Sequence, residues 1–155
     1  MTNKFMQMAI ELSIDNVKNK TGGPFGAVIV KDDTIIATGA NSVTADNDPT
    51  AHAEIVAIRN ACKKLNTFNL QDCAIYTSCE PCPMCLSAIY WAKISEIYYG
   101  NTKQDAASIN FDDAFIYEQM AMPPDKRTVK MINIMRDESL VAFDLWKKDV
   151  SKIGY

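Results

Sequence analysis

The chain has 155 residues, 48% hydrophobic and 23% charged, with 16 basic and 19 acidic side chains for a net charge of −3. That balance belongs to one folded globular domain and excludes a disordered tail or a fibrous repeat. An acidic surplus argues against a nucleic-acid binder, which neutralises phosphates with basic side chains, and no apolar run approaches the ~20 residues of a membrane span. The N-terminal stretch soon meets Glu11 and Asp15, so no signal-peptide core is expected. The chain therefore reads as cytoplasmic, with no membrane partner.

From roughly Lys4 to Asn19, Lys4, Glu11, Asp15 and Lys18 share one helical face while Phe5, Ala9, Leu12 and Val17 fall largely elsewhere, which predicts an amphipathic helix. Thr21-Gly22-Gly23-Pro24 ends it. Phe25–Val30 and Thr34–Thr38 are β-rich runs separated by Lys31-Asp32-Asp33, the pattern of a hairpin. Gly39–Pro49 reads as a loop and Ala51–Leu65 as a helix. Strands are expected at Ala74–Thr77 and Ile94–Tyr99 with a short helix at about Cys82–Ala92 between them, a βαβ unit that implies parallel pairing. After a further loop come a helix near Phe111–Met120, a Pro123-Pro124 break, a strand near Val129–Met135 and a last helix from about Glu138. The order predicts an α/β fold, a three-layer α/β/α sandwich around a mixed sheet of about five strands.

Five cysteines are present, an odd number, and three of them crowd into Cys79-Glu80-Pro81-Cys82-Pro83-Met84-Cys85. Crowded cysteines in a non-secreted chain bind metal or do redox work more often than they form disulfides. Cys62 and Cys73 stand alone in apolar segments and read as small buried hydrophobes. The single histidine, His52, would ordinarily be structural, but Glu54 follows it and a C-x-x-C step lies downstream. One imidazole and two thiolates leave the fourth tetrahedral position of a zinc ion open, as a catalytic site requires. Cys79 forms a second C-x-x-C with Cys82; pairing Cys82 with Cys85 instead puts both thiolates on the first turn of one helix. Cys79 is then a core residue or a thiol beside the metal.

On the 3.6-residue period Ala51, Glu54, Ile55, Ile58, Ala61, Cys62 and Leu65 share a stripe opposite Arg59, Asn60, Lys63 and Lys64. A carboxylate in that apolar stripe is costly unless it is paired or protonated through a raised pKa, and a raised pKa suits a proton shuttle. Residues i and i+2 do not face each other on a helix, so His52 and Glu54 reach one site only from its first turn. Pro49 and Thr50 place that start. Pro81 and Cys82 are expected to open the next helix, with proline at its first position and the dipole stabilising thiolate.

His52-Ala53-Glu54 followed by Pro81-Cys82-Pro83-Met84-Cys85 resembles the zinc-dependent nucleobase deaminases of the cytidine deaminase fold. The resemblance implies that His52, Cys82 and Cys85 hold one zinc with its catalytic water, and that Glu54 shuttles protons. Beyond the metal motif, Gly23–Val30, Asn47–Glu54, Thr77–Cys82 and Phe111–Tyr117 are similar to the small bacterial guanine deaminases. That likeness covers almost the whole chain and implies deamination of guanine to xanthine. It further implies that Phe25 packs on the purine, Asn41 hydrogen-bonds it, Ala53 lies against it and Asp113 accepts from its N–H groups. Tyr155 would belong to a C-terminal helix and tail (about 138–155) that closes over the site of this single domain, and the enzyme would be a homodimer able to exchange that tail.

Each substrate residue has a simpler reading. Phe25 opens an apolar strand, Asn41 can satisfy turn backbone, Asp112 or Asp113 can cap a helix, and a terminal Tyr155 frays by default. Guanosine, a cytosine-type base and transfer-RNA adenosine are alternative substrates, the last disfavoured by the acidic balance. A non-catalytic zinc module would leave Glu54 without a task.

Overall fold

In the computed structural model, which describes residues 3–155, helix α1 (Lys4–Lys18) begins at Asn3. The Asn3 side-chain oxygen accepts from the backbone N–H groups of Phe5 and Met6, at 3.0 and 3.1 Å, two of the donors a helix start leaves unpaired. Strands β1 (Gly26–Lys31) and β2 (Thr34–Ala40) follow as the expected hairpin. Its two turn residues, Asp32 and Asp33, both take positive φ (47° and 57°). A tight turn that matches strand twist demands that conformation, and Asp tolerates it better than most side chains.

Helix α2 (Val43–Asp46) is a single turn inside the predicted loop, and α3 spans Ala53–Leu65. Strand β3 (Ala74–Cys79), helix α4 (Pro83–Trp91) and strand β4 (Glu96–Asn101) form the predicted βαβ unit, with β3 and β4 parallel. The sheet order is β2-β1-β3-β4, with β1 antiparallel to both neighbours. Side chains alternate across β1, and so the layers are assigned. Ala27 and Ile29 join Ala53, Ala57, Ala61, Ile75 and Ile89, the side of α3 and α4. Val28 and Val30 join Phe5, Ala9 and Tyr76, the side of α1. Burial on both faces is why β1 reads as a continuous apolar run.

Helix α5 (Lys103–Ser108) stands where a loop was expected. The signal was present: the Thr102 hydroxyl accepts from Asp105 N while the Asp105 carboxylate accepts from Thr102 N, a reciprocal cap written as T-x-x-D.

The chain divides into two compact units, one ending at Ala114 and the other Phe115–Tyr155. The second carries α6 (Ala114–Ala121, which begins at the boundary), a 3₁₀ turn (Pro124–Lys126) and α7 (Arg136–Lys148). Here the fifth strand of the sequence reading fails: residues 129–135 are irregular, and the sheet has four strands among the described residues. Val129, Ile132 and Ile134 supply β-propensity, yet they are 73–78% exposed. A strand exists through a partner's hydrogen bonds, and this unit holds no other strand among its described residues.

β2 lies close against α3 because Gly39 has no side chain. A Cβ there would stand 2.2 Å from the Ala53 carbonyl oxygen and 2.5 Å from Ala57 N. Gly39→Ala is expected to cost about 2 kcal/mol or more through this overlap, seen as a fall of roughly 6 °C or more in the thermal midpoint.

Candidate active site

His52 caps the N-terminus of α3 in an extended conformation (φ −70°, ψ 155°), and Cys82 caps α4 in a similar one (φ −65°, ψ 168°). Pro83, not the expected Pro81, is the first helical residue of α4; Pro81 lies before the cap, where the chain is still extended. His52 Nδ1 is 3.5 Å from the sulfur of Cys82 and 3.5 Å from that of Cys85. Zinc bonds of ordinary length at tetrahedral angles would place N and S ligands about 3.6 Å apart, so this donor set fits zinc as it stands. Among the described residues His52, Cys82 and Cys85 form the one group whose ligand atoms lie within 4.8 Å of one another, and Cys79 is outside it. Because His52 precedes the first helical turn, the separation of i and i+2 on a helix does not apply, and Glu54 turns to the same place. Glu54 is 6% exposed. Its Oε1 accepts from the Thr77 hydroxyl at 3.2 Å and its Oε2 from the Cys85 thiol at 3.4 Å.

Phe25 is half-buried against the α3–α4 side of the core, with its ring edge-on to Phe111 at 5.0 Å. Asn41 is buried, and its Oδ1 accepts from Gly23 N (3.2 Å) and Val43 N (3.4 Å). A Cβ on Gly23 would meet the Phe25 ring at 3.3 Å and Asn41 Cγ at 3.5 Å, so ring and amide flank one glycine. Asp112 does the capping, accepting from Ala114 N at 2.9 Å, while Asp113 is half-buried and feels the charge of Cys82. The Ala53 methyl is core, but its N–H heads α3, where a helix has no internal acceptor. Tyr155 belongs to the second unit, where with Phe143, Trp146 and Gly154 it lines a cavity of about 440 Å³.

Two residues escaped the sequence reading. Thr77 follows Ile75 by two on β3 and shares its face, so alternation pointed it toward α3. Asn16 continues the Phe5–Ala9–Leu12 stripe of α1 and is buried, its amide donating to the carbonyls of Gly23 and Asn41, both at 2.8 Å.

Residues 1–101 match the cytidine and deoxycytidylate deaminase zinc-binding region. The chain belongs to that family of deaminases. It is 50% identical over 151 residues to the guanine deaminase of Bacillus subtilis, across 97% of each chain. The X-ray structure of guanine deaminase from Bacillus subtilis superposes with a TM-score of 0.96 at 49% identity, over 100% of this chain and 99% of that one. A guanine deaminase structure from Nitrosomonas europaea gives 0.68 at 32% identity, over 74% of this chain and 67% of that one. The tRNA-specific adenosine deaminase of Aquifex aeolicus is 46% identical over 76 residues, 49% of this chain and 50% of that one. No helix among the described residues is long and apolar enough to cross a membrane.

The electrostatics of this deaminase separate its cysteines. Hydrogen bonds from Cys85 and then His52 hold the Cys82 thiol down at about 4, against the cost of burial. Cys85 is pushed far up by its bond to the Cys82 sulfur and by burial. Cys79 is raised to about 11, first by burial and then by the charge of Glu54. His52 is raised by its bond to Cys82. Glu54 is raised chiefly by burial, with Cys85 and His52 opposing. Asp113 is raised by burial and then by Cys82. Without metal, Cys82 is therefore the resting thiolate and Cys85 keeps a proton that zinc must displace.

Cys82→Ser and Cys85→Ser are each expected to lower zinc content from about one per chain to below roughly a tenth, while Cys79→Ser leaves it unchanged, as measured by atomic absorption. A thiol that ionises near 4 stays thiolate as pH falls from 8 to 5. In zinc-stripped protein, iodoacetamide should therefore label Cys82 at a rate almost flat over that range, whereas an ordinary thiol slows about tenfold per unit.

Proposed function

We propose that this deaminase converts guanine and water to xanthine and ammonia. A buried carboxylate lodged beside a three-donor zinc site is the observation that carries the reaction. His52, Cys82 and Cys85 would hold the zinc, which would supply a Lewis acid that eases the deprotonation of water. Glu54 accepts the proton released by the attacking water and hands it to the ring nitrogen beside the attacked carbon. It then carries the second proton to the amine, which leaves as ammonia. Burial raises its pKa above that of an exposed carboxylate, the direction a group that both takes and gives a proton requires.

Guanine as substrate is supported by the 50% identity to the Bacillus subtilis enzyme, which runs through 97% of both chains. The likeness to the Aquifex aeolicus transfer-RNA enzyme spans about half, and the net charge of −3 suits a small base better than a polyanion. In this reading Phe25, braced by Phe111, forms an apolar wall for the purine. The Asn41 amide, with its oxygen already held by backbone N–H groups, presents its NH₂ as donor. The N–H of Ala53 faces a ring acceptor, and Asp113 accepts from the purine N–H groups. Tyr155 belongs to a tail that closes the site of a single functional domain. A homodimer with an exchanged tail is supported by the second unit, where none of the described residues is buried and Phe143, Leu145 and Trp146 are 47–67% exposed. Free thiols throughout fit a cytoplasmic compartment.

Ammonia release from guanine, guanosine, cytosine, cytidine, adenine and transfer RNA tests the assignment. Turnover of guanine alone is expected, and turnover of another member of the panel would overturn the substrate. Glu54→Gln is expected to lose about 10²–10⁴-fold in kcat with zinc retained. Asp113→Asn should raise KM for guanine about tenfold or more by mispairing with its N–H donors, with a much smaller change in kcat.

A further inference from the structure

We propose that Thr77 is the positioning residue for Glu54, holding the carboxylate in register with the reacting atoms through its buried hydroxyl. This rests on the deaminase reading of the site and adds a residue outside the metal motif. Thr77 is 1% exposed and Glu54 is 6% exposed, so neither side chain has bulk water as an alternative partner. Their bond, hydroxyl to Oε1, is 3.2 Å. The other carboxylate oxygen accepts at 3.4 Å from the thiol of Cys85, a residue of the candidate metal trio. Of the two side chains bonded to Glu54, Thr77 is the one outside that trio.

The two groups differ in stiffness. Thr77 lies in an inner strand, paired with Ala27 on one side and Tyr99 on the other, and a β-branched side chain has restricted χ1. Glu54 has three rotatable bonds and stands in the first turn of α3. A carboxylate that takes a proton at one atom and delivers it at another must stay within a few tenths of an ångström of both, so the rigid strand holds the flexible acid. Ile75, two residues earlier on the same face, shows what the position otherwise asks for: a core hydrophobe. A hydroxyl there is buried at a cost unless bonded, and the carboxylate satisfies it.

Thr77→Val keeps shape and strand propensity and deletes the donor; Thr77→Ser keeps the donor. With zinc content verified, Thr77→Val is expected to lower kcat for guanine about 10- to 100-fold, with KM within about twofold, and Thr77→Ser to retain most of wild-type kcat. The infrared bands of Glu54, isolated by subtracting the Glu54→Gln spectrum, should shift in Thr77→Val and return in Thr77→Ser. These bands are read without substrate: if the wild-type chain fails on guanine and they still shift, the substrate reading falls and the Thr77 assignment stands. Should the valine variant not accumulate, Thr77→Ala supplies the same comparison. Unchanged kcat and bands in Thr77→Val, or equal losses in the Val and Ser variants, would overturn the proposal, the second outcome by showing that packing alone matters.

Discussion

Two helix N-termini converge on one point, and the rest of the site depends on that convergence. The N-terminus of a helix carries unpaired N–H groups and about half a positive charge. His52 caps one such end and Cys82 the other, so their side chains leave the helices just where the two fields add. A thiolate is stabilised there, and a metal-bound anion would be too. Gly39 is part of the same constraint, because α3 reaches its position only where β2 offers no Cβ.

Concentrating charge in this way has an electrostatic consequence for each group. A desolvated carboxylate, two sulfurs and an imidazole cannot all take their solution protonation states within one contact shell. The Cys82 sulfur ionises readily, Cys85 resists, and Glu54 is driven toward its neutral form by burial. Cys79, three residues before Cys82, shares the burial but bonds the Thr102 carbonyl at 3.7 Å and remains a thiol. Ligand and bystander are thus told apart by geometry rather than by spacing, since C-x-x-C occurs on both sides of Cys82.

The surroundings of Phe25 and Asn41 are organised by hydrogen bonds to backbone rather than by charge. Asn16, buried in α1, bonds the carbonyls of Gly23 and Asn41 and receives the Thr21 hydroxyl on its Oδ1 at 2.6 Å. Gly22 permits the approach, since a Cβ there would fall 2.0 Å from the Asn41 carbonyl oxygen. The Asn16 amide thus bridges the loop before β1 and the residue after β2, reinforcing the direct bonds from Gly23 N to Asn41 Oδ1 and from Asn41 N to Phe25 O. Phe25 and Asn41 consequently flank the same glycine, Gly23, although 16 positions separate them in the chain.

Periodicity and motif were sufficient for much of this. The helical stripe of α3 put Glu54 among apolar residues, and its neighbours Ile55 and Ala61 are buried while Arg59, Asn60, Lys63 and Lys64 are exposed. The strand–helix–strand order foretold the parallel β3–β4 pair, and one histidine with a C-x-x-C step pointed to the three donors that the fold brings within 4.8 Å of one another. Such features are written in contiguous residues, so a sequence carries them whole. What it does not carry is who stands opposite whom. Residues 129–135 have the composition of a strand and no strand partner among the described residues of their own unit, so they form none. Thr77 and Asn16 look like ordinary polar positions until the fold buries them against Glu54 and Asn41, 23 and 25 residues away. Pairing across such distances is decided by packing and hydrogen-bond satisfaction in three dimensions, and only the tertiary structure contains both partners at once.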